Sequence, residues 1–184
     1  MKTFPALVTA RLRLRAPRAD DASALQKLLA IPEVTGFTNW PDAPSNAQAR
    51  RYARWMAKVY ASGKGCAWVI EQRGRRSAAF LGAIRFNSFE KKWRSGMIGY
   101  ELDPAFWGRG LMTEAVRAVV ACGHQQFKLN RIEAWTLPGN PASDRVLEKS
   151  GFRYEGTARQ RAYFKGSFHD FRMFARIVGD PIDS

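Results

Sequence analysis

The chain has 184 residues, 46% of them hydrophobic and 12% aromatic, which suits one folded domain with a sizeable core and excludes a disordered chain. Its formal net charge of +14 favours anionic partners such as nucleotides, nucleic acid or acidic membrane, although arginine-rich composition alone would produce the same number. The two cysteines, Cys66 and Cys122, have no metal-ligand spacing and make no disulfide framework, and no apolar run nears the ~20 residues of a membrane span. The opening Met1-Lys2-Thr3-Phe4-Pro5 lacks the apolar core of a signal peptide, so a cytoplasmic location is expected.

Thr9 to Arg15 alternates Arg with Leu and predicts a strand that Pro17 ends. Asp20 or Asp21 is expected to cap a helix through Leu29 with Ala24, Leu25, Leu28 and Leu29 on its apolar stripe. Residues 31–44 contain three prolines, Gly36, Phe37 and Trp40, and read as a loop. Ser45 starts a second helix through about Ala61, and Ser62-Gly63-Lys64-Gly65 breaks it. Cys66–Gln72, Ala79–Asn87 and Arg94–Leu102 follow as an antiparallel meander, with a turn at Arg73-Gly74-Arg75. Short basic clusters stand at Arg11-Arg13-Arg15, Arg73-Arg75-Arg76 and Lys91-Lys92-Arg94. A long helix from Glu114 to Phe127, a strand at Arg131–Leu137, a helix from Pro141 to Ser150 closed by Gly151, and two strands around Lys165-Gly166 complete the chain. The predicted fold is α/β (α+β), with a mixed, mostly antiparallel sheet of about seven strands and helices on both faces. Residues 1–184 are expected to form a single domain.

The segment Pro104-Ala-Phe-Trp-Gly-Arg-Gly-Leu-Met-Thr113 joins a strand to a helix. Glycines at 108 and 110 let the backbone approach a ligand closely, and the helix beyond offers unpaired N–H groups and a positive dipole end. That combination is a phosphate cradle. It lacks the Gly-Lys-Ser/Thr of a Walker loop and the third glycine of a dinucleotide fingerprint.

Four blocks extend this motif in order: Gly99-Tyr100-Glu101-Leu102, Trp107 to Ala115, Asn130 to Ala134, and Asn140-Pro141-Ala142-Ser143 through Leu147 to Phe152. Over Leu12 to about Phe174 the chain resembles the GNAT superfamily of acyl-CoA-dependent N-acetyltransferases, and within it the RimJ/RimL branch that acetylates ribosomal-protein N-termini. The resemblance implies a GNAT-like acyl-CoA N-acyltransferase fold, acetyl-CoA as cosubstrate and no metal. It implies cofactor contacts from Trp107, Gly108, Arg109, Gly110, Leu111, Met112 and Thr113 to the pyrophosphate. It places the pantetheine along Tyr100 to Leu102 like an added strand, with Asn140 and Ser143 beside it. The superfamily's turn usually opens with Gln or Arg and closes with Gly or Ala, where this chain has Trp107 and Met112.

Asn140 before Pro141 is also an N-cap with proline at N1. Many superfamily members place a proton-donating tyrosine where this chain has Leu147. Ser143, a turn earlier, is the candidate to bond the sulfur, or else a first-turn capping partner. Glu101 is the candidate base for the amine, or else the partner of an arginine across the sheet. Glu133 is the reserve base. His169-Asp170 reads as a structural pair, and Cys66 and Cys122 as inert. Phe37 and Trp40 either wall the acceptor site or pack under the loop. The acceptor favoured is the α-amino group of a protein N-terminus, with association to ribosomal RNA through the basic surface. The alternatives are a small amine (polyamine, amino acid or drug) and a non-catalytic RNA-binding module. No membrane partner is expected. The chain would be a monomer or a homodimer, the last strand up to Val178 being a possible dimer edge.

Overall fold

A computed structural model describes residues 3–74 and 79–181 of the chain. The elements are β1 (Leu7–Val8), β2 (Leu12–Arg15), α1 (Ala22–Leu29), α2 (Pro32–Thr35), α3 (Asn46–Val59), β3 (Cys66–Gln72), β4 (Phe80–Glu90), β5 (Ser95–Leu102), α4 (Leu111–Gln125), β6 (Arg131–Thr136), α5 (Pro141–Lys149), β7 (Arg153–Phe164) and β8 (Ser167–Ile177). The strands form one sheet in the order β1-β2-β3-β4-β5-β6-β8-β7. Only β5 and β6 run parallel, so the sheet is mixed and mostly antiparallel, as expected.

Alternation along the strands sends side chains to two covered faces. Ala67 and Ala83 face α1 and α3, where Leu25, Leu29, Ala53 and Met56 complete a compact core. Trp68, Ile84, Phe86 and Ile98 face the other way and pack with Ala115, Val116 and Val119 of α4 and Leu147 of α5. α3 begins at a reciprocal cap: Gln48 N–H donates to Ser45 Oγ (3.3 Å) and Ser45 N–H donates to Gln48 Oε1 (2.7 Å). Ala49, Tyr52, Ala53, Met56 and Val59 then recur at helical spacing on its buried face.

Several boundaries differ from the sequence expectation. There are eight strands among the described residues, because Leu7–Val8 pairs with β2 and the predicted first strand opens instead as a turn, Thr9 N–H donating to Leu12 O (2.9 Å). The expected loop at 31–44 contains the one-turn helix α2, started by Pro32 at its first position. Asp21 does not cap α1. Its carboxylate accepts from both terminal nitrogens of Arg15 (2.8 and 2.7 Å), and Arg15 Nε donates to Glu71 (2.6 Å). A buried guanidinium outcompetes a helix end for a carboxylate. The last strand is no edge: β8 lies between β6 and β7. The predicted turn after β3 reaches Gly74 (φ +85), and Arg75 and Arg76 lie outside the described residues.

One irregularity positions everything that follows. β6 pairs with β5 only at Ser95↔Arg131, Gly96↔Ile132 and Met97↔Glu133, whereas β4 stays paired with β5 as far as Leu102. From Ile98 onward β5 therefore borders an opening.

Candidate active site

The turn between β5 and α4 holds Gly108 at φ +71 and Gly110 at φ +70, a left-handed conformation that costs a side-chain-bearing residue about 1–2 kcal/mol. A Cβ at Gly108 would meet no protein atom within 4 Å, so within the protein it is the conformation that requires glycine there. Gly110 is the N-cap of α4 and provides no side-chain cap. The first-turn N–H groups of α4 are thus left for an anion. Leu111 and Met112 are buried, which confines any contact from them to the main chain. Arg109 stays exposed over the Phe106 ring (5.6 Å).

The turn is braced from the N-terminal hairpin. Arg11 Nη1 donates to Arg109 O (2.8 Å), and Arg11 Nε and N–H donate to the Glu114 carboxylate (2.6 and 2.8 Å), which also accepts from Thr9 Oγ1 (2.6 Å). Burial alone would raise the pKa of Glu114, and these donors outweigh it and hold the carboxyl below its ordinary range. Arg11 balances an acidic side chain that would otherwise repel a phosphate at this helix end.

Asp103 N–H donates to Leu81 O (2.8 Å), so the main-chain groups of Glu101 and Gly99 face β4 and those of Tyr100 and Leu102 face the opening. The Trp107 indole N–H takes the Leu102 carbonyl (2.8 Å). The N–H and C=O of Tyr100 meet no strand among the described residues. An uncapped helix start beside an unpaired stretch of strand fits a molecule with a diphosphate at one end and amides along its arm.

Side chains sort to two sides of this opening. Towards α5, Tyr100 Oη lies 2.9 Å from Ser143 Oγ and 3.3 Å from Ser143 O. Asn140 Oδ1 accepts the Ser143 N–H (3.2 Å), so Asn140 caps α5 as expected, and the Ser143 hydroxyl is not spent on capping. Leu147 is fully buried. Thr113 makes no side-chain hydrogen bond among the described residues.

On the opposite face Glu101 is 5% exposed and ion-paired with Arg85 of β4 (2.6 Å). The arginine partner foreseen for it is therefore real. Burial alone would lower the pKa of Arg85, and the adjoining carboxylate more than offsets this, so the guanidinium keeps its charge. Arg85 Nε donates to Asn87 Oδ1 (2.8 Å). Above the pair lies a cavity of about 340 Å³ walled by Trp40, Tyr52, Trp55, Arg85 and Asn87. Trp40 and Trp55 both contact the Tyr52 ring, edge-on at 4.7 Å and stacked at 5.6 Å. The Tyr52 hydroxyl is buried without a partner among the described residues, and burial pushes its pKa up. The segment before α3 that carries Trp40 is tied down by the β7–β8 hairpin: Lys165 Nζ donates to Thr35 O (2.9 Å) and Asp42 (2.7 Å).

The remaining candidates sit apart from this centre. Glu133 pairs with Arg131 (2.8 Å). His169 stacks on Phe164 and bonds Ser167 and the Phe164 carbonyl, while Asp170 accepts from Gln160 N–H, so each is structural and they do not pair with one another. Phe37 is half-exposed, and Trp40 both packs on Tyr52 and lines the cavity. Cys66 and Cys122 are buried and free, and burial raises both thiols, Cys122 to about 11. Arg85 and Tyr52 were not singled out from sequence, and Arg11 was named there only as part of a basic cluster. A lone arginine inside the apolar run Phe80-Leu-Gly-Ala-Ile-Arg-Phe86 was the available signal for the first.

Residues 11–153 match the Acetyltransferase (GNAT) domain family. The chain is 34% identical over 174 residues to the N-acetyltransferase YoaA of Bacillus subtilis (strain 168), covering 95% of this chain and 97% of that protein. It is 26% identical over 141 residues to the ribosomal-protein-serine acetyltransferase of Escherichia coli (strain K12), covering 76% of each. The structure superposes on RimL, the ribosomal L7/L12 alpha-N-protein acetyltransferase, with TM-score 0.84 at 25% identity and 96% of each chain covered. The complex of RimL with coenzyme A superposes with TM-score 0.83 at 25% identity, covering 95% of this chain and 98% of that one. The chain belongs to the GNAT acetyltransferase family. It is an N-acetyltransferase that uses acetyl-CoA. No helix among the described residues is long and apolar enough to cross a membrane, and no group of metal-ligating side chains occurs among them.

Proposed function

We propose that this protein is a cytoplasmic, single-domain enzyme that acetylates the α-amino group of a protein N-terminus, of the ribosomal-protein class. The observation that carries this reading is the opening beside β5, with Glu101 on one face and Ser143 on the other. The uncapped turn at 108–113 holds the cosubstrate's diphosphate, and the Tyr100 main chain pairs with its arm. Asn140 keeps the first turn of α5 in place, so that Ser143 reaches the sulfur side. The amine enters from the aromatic cavity, and its proton leaves through water ordered by the Arg85–Glu101 pair.

The proton cost favours this acceptor. An N-terminal amine, with pKa about 7.7–8.0, is freed near pH 7.4 for less than about 1 kcal/mol, while a lysine at about 10.4 costs about 4. Glu101, already held by Arg85, is not placed as a strong base. The residues that wall the cavity include no acidic side chain, which disfavours polycations such as polyamines and aminoglycosides. Ribosomal RNA is the anionic surface that a +14 enzyme would meet on the way to its substrate.

Thiol release from acetyl-CoA, measured with peptides bearing a free N-terminus, with lysine peptides blocked at the N-terminus, and with spermidine, tests the reading. Free N-termini are expected to give kcat/KM at least about 100-fold above the others. Equal or higher activity on lysine or spermidine refutes it.

A further inference from the structure

Leu147 of α5 is fully buried and has no hydrogen to donate. Two hydroxyls stand in series beside the opening, Tyr100 Oη and Ser143 Oγ, 2.9 Å apart. We propose that Tyr100 is a positioning residue for acetyl transfer: its hydroxyl donates to Ser143 Oγ and so directs the serine proton at the departing sulfur. The inference rests on the role given above to Ser143.

The hydrogen-bond inventory selects this direction. The Ser143 main-chain N–H is committed to Asn140 Oδ1, so its hydroxyl is the one mobile donor of that residue. A phenol is a stronger acid than an alcohol, so the phenol donates to the alcohol when both share one bond. The alternative acceptor for Tyr100, the Ser143 carbonyl, lies farther away at 3.3 Å. Neighbouring groups leave the pair undisturbed. Asp144 accepts from Thr136 Oγ1 (2.6 Å) and Arg172 Nε (3.0 Å), so its carboxylate is engaged. Burial pushes the Tyr100 pKa up, which keeps the phenol protonated and donating.

In the reaction the amine nitrogen bonds the acetyl carbon, the carbon–sulfur bond breaks, and its electron pair goes to sulfur. The amine gives up one proton to water and the sulfur gains one. An alkyl thiolate has a conjugate pKa near about 8.5 and an unperturbed phenol about 10, so the hydroxyl chain is a poor net proton source. It stabilises the thiolate by charge-assisted hydrogen bonding, each donor polarising the next, until water protonates the sulfur. Tyr100 thus contributes twice, with its main chain to the cosubstrate's arm and with its ring to the sulfur's donor.

Steady-state kinetics on Tyr100→Phe, Ser143→Ala and the double variant test this. Tyr100→Phe is expected to lower kcat about tenfold, with KM for acetyl-CoA changed by less than about twofold. The double variant is expected to be no slower than Ser143→Ala. Independent, multiplying losses, or a Tyr100→Phe enzyme at wild-type turnover beside a slowed Ser143→Ala, overturn the inference while leaving the proposed function in place. Ser143→Ala at wild-type turnover overturns the serine role and the inference together, and the acceptor panel above still decides the substrate. Should Tyr100→Phe fail to fold, 3-fluorotyrosine at this position keeps the shape and sharpens the donor. A raised kcat then supports the inference, and an unchanged or lowered kcat overturns it.

Discussion

Replacing Glu101 by glutamine preserves the shape of the side chain and removes its charge. The partner guanidinium stays where it is, with side-chain exposures of 11% for Arg85 and 3% for Glu101. Arg85 then retains one amide acceptor, Asn87 Oδ1, and an uncompensated positive charge under the Tyr52 ring, whose centroid lies 5.4 Å away. Removing one member of a buried pair costs about 3–5 kcal/mol, and the retained amide keeps Glu101→Gln near the lower end. For a chain of this length each kcal/mol moves the melting midpoint by about 2–4 °C, so a fall of roughly 6–12 °C is expected. Urea unfolding followed by tryptophan fluorescence measures the same loss at constant temperature. The double variant Arg85→Met/Glu101→Leu removes both charges and is expected to recover most of the stability, since a buried pair exchanged for apolar groups is near neutral. It is also expected to stay inactive, which separates folding from chemistry. A loss below about 1 kcal/mol in Glu101→Gln would mean that water screens the pair as on a surface, against the low exposure of both side chains.

The glycine turn and its brace give two more expected outcomes. Gly108→Val is expected to lose coenzyme A binding by calorimetry and Gly108→Asn to keep more of it, because φ is +71 and asparagine tolerates that conformation better than a β-branched residue. Glu114 has a lowered pKa in the folded state, so its contribution to stability is complete above its ordinary value near 4.5 and is lost as pH falls through the lower folded value. Glu114→Gln is therefore expected to flatten the acid limb of the stability curve below about pH 4.5, and to do so less in high salt because Arg11 is half-exposed. Chemical denaturation across pH checks this, and an acid limb identical to wild type counts against the brace.

Features set by local rules were readable from residue order. Gly108 and Gly110 announced a turn where the main chain can approach a ligand, because glycine has no Cβ, and Asn140-Pro141 announced a capped helix because the side-chain acceptor and the missing N–H act within three residues. The Ser45 start of α3 was legible for the same reason. Distant pairings were legible only in kind: an arginine across the sheet was foreseen for Glu101, but not that it is Arg85. Glu101 meets Arg85 only because the β4–β5 register puts Ala83 opposite Glu101, and that register is a property of two strands together. Asp21 looked like a cap until the fold brought Arg15 to it. The early parting of β6 from β5, which opens the site, leaves no trace in either strand's own pattern. Ser143 was found through its place in a motif, whereas its bond to Tyr100 depends on how α5 lies across the sheet.

Lys165 reaches from the tip of the β7–β8 hairpin to Thr35 O and Asp42, residues 130 and 123 positions away along the chain. The hairpin is thereby fastened to the segment that carries Trp40, a wall of the cavity proposed for the acceptor. Drawing that wall back for a larger acceptor would mean unfastening an ammonium from a carbonyl and a carboxylate.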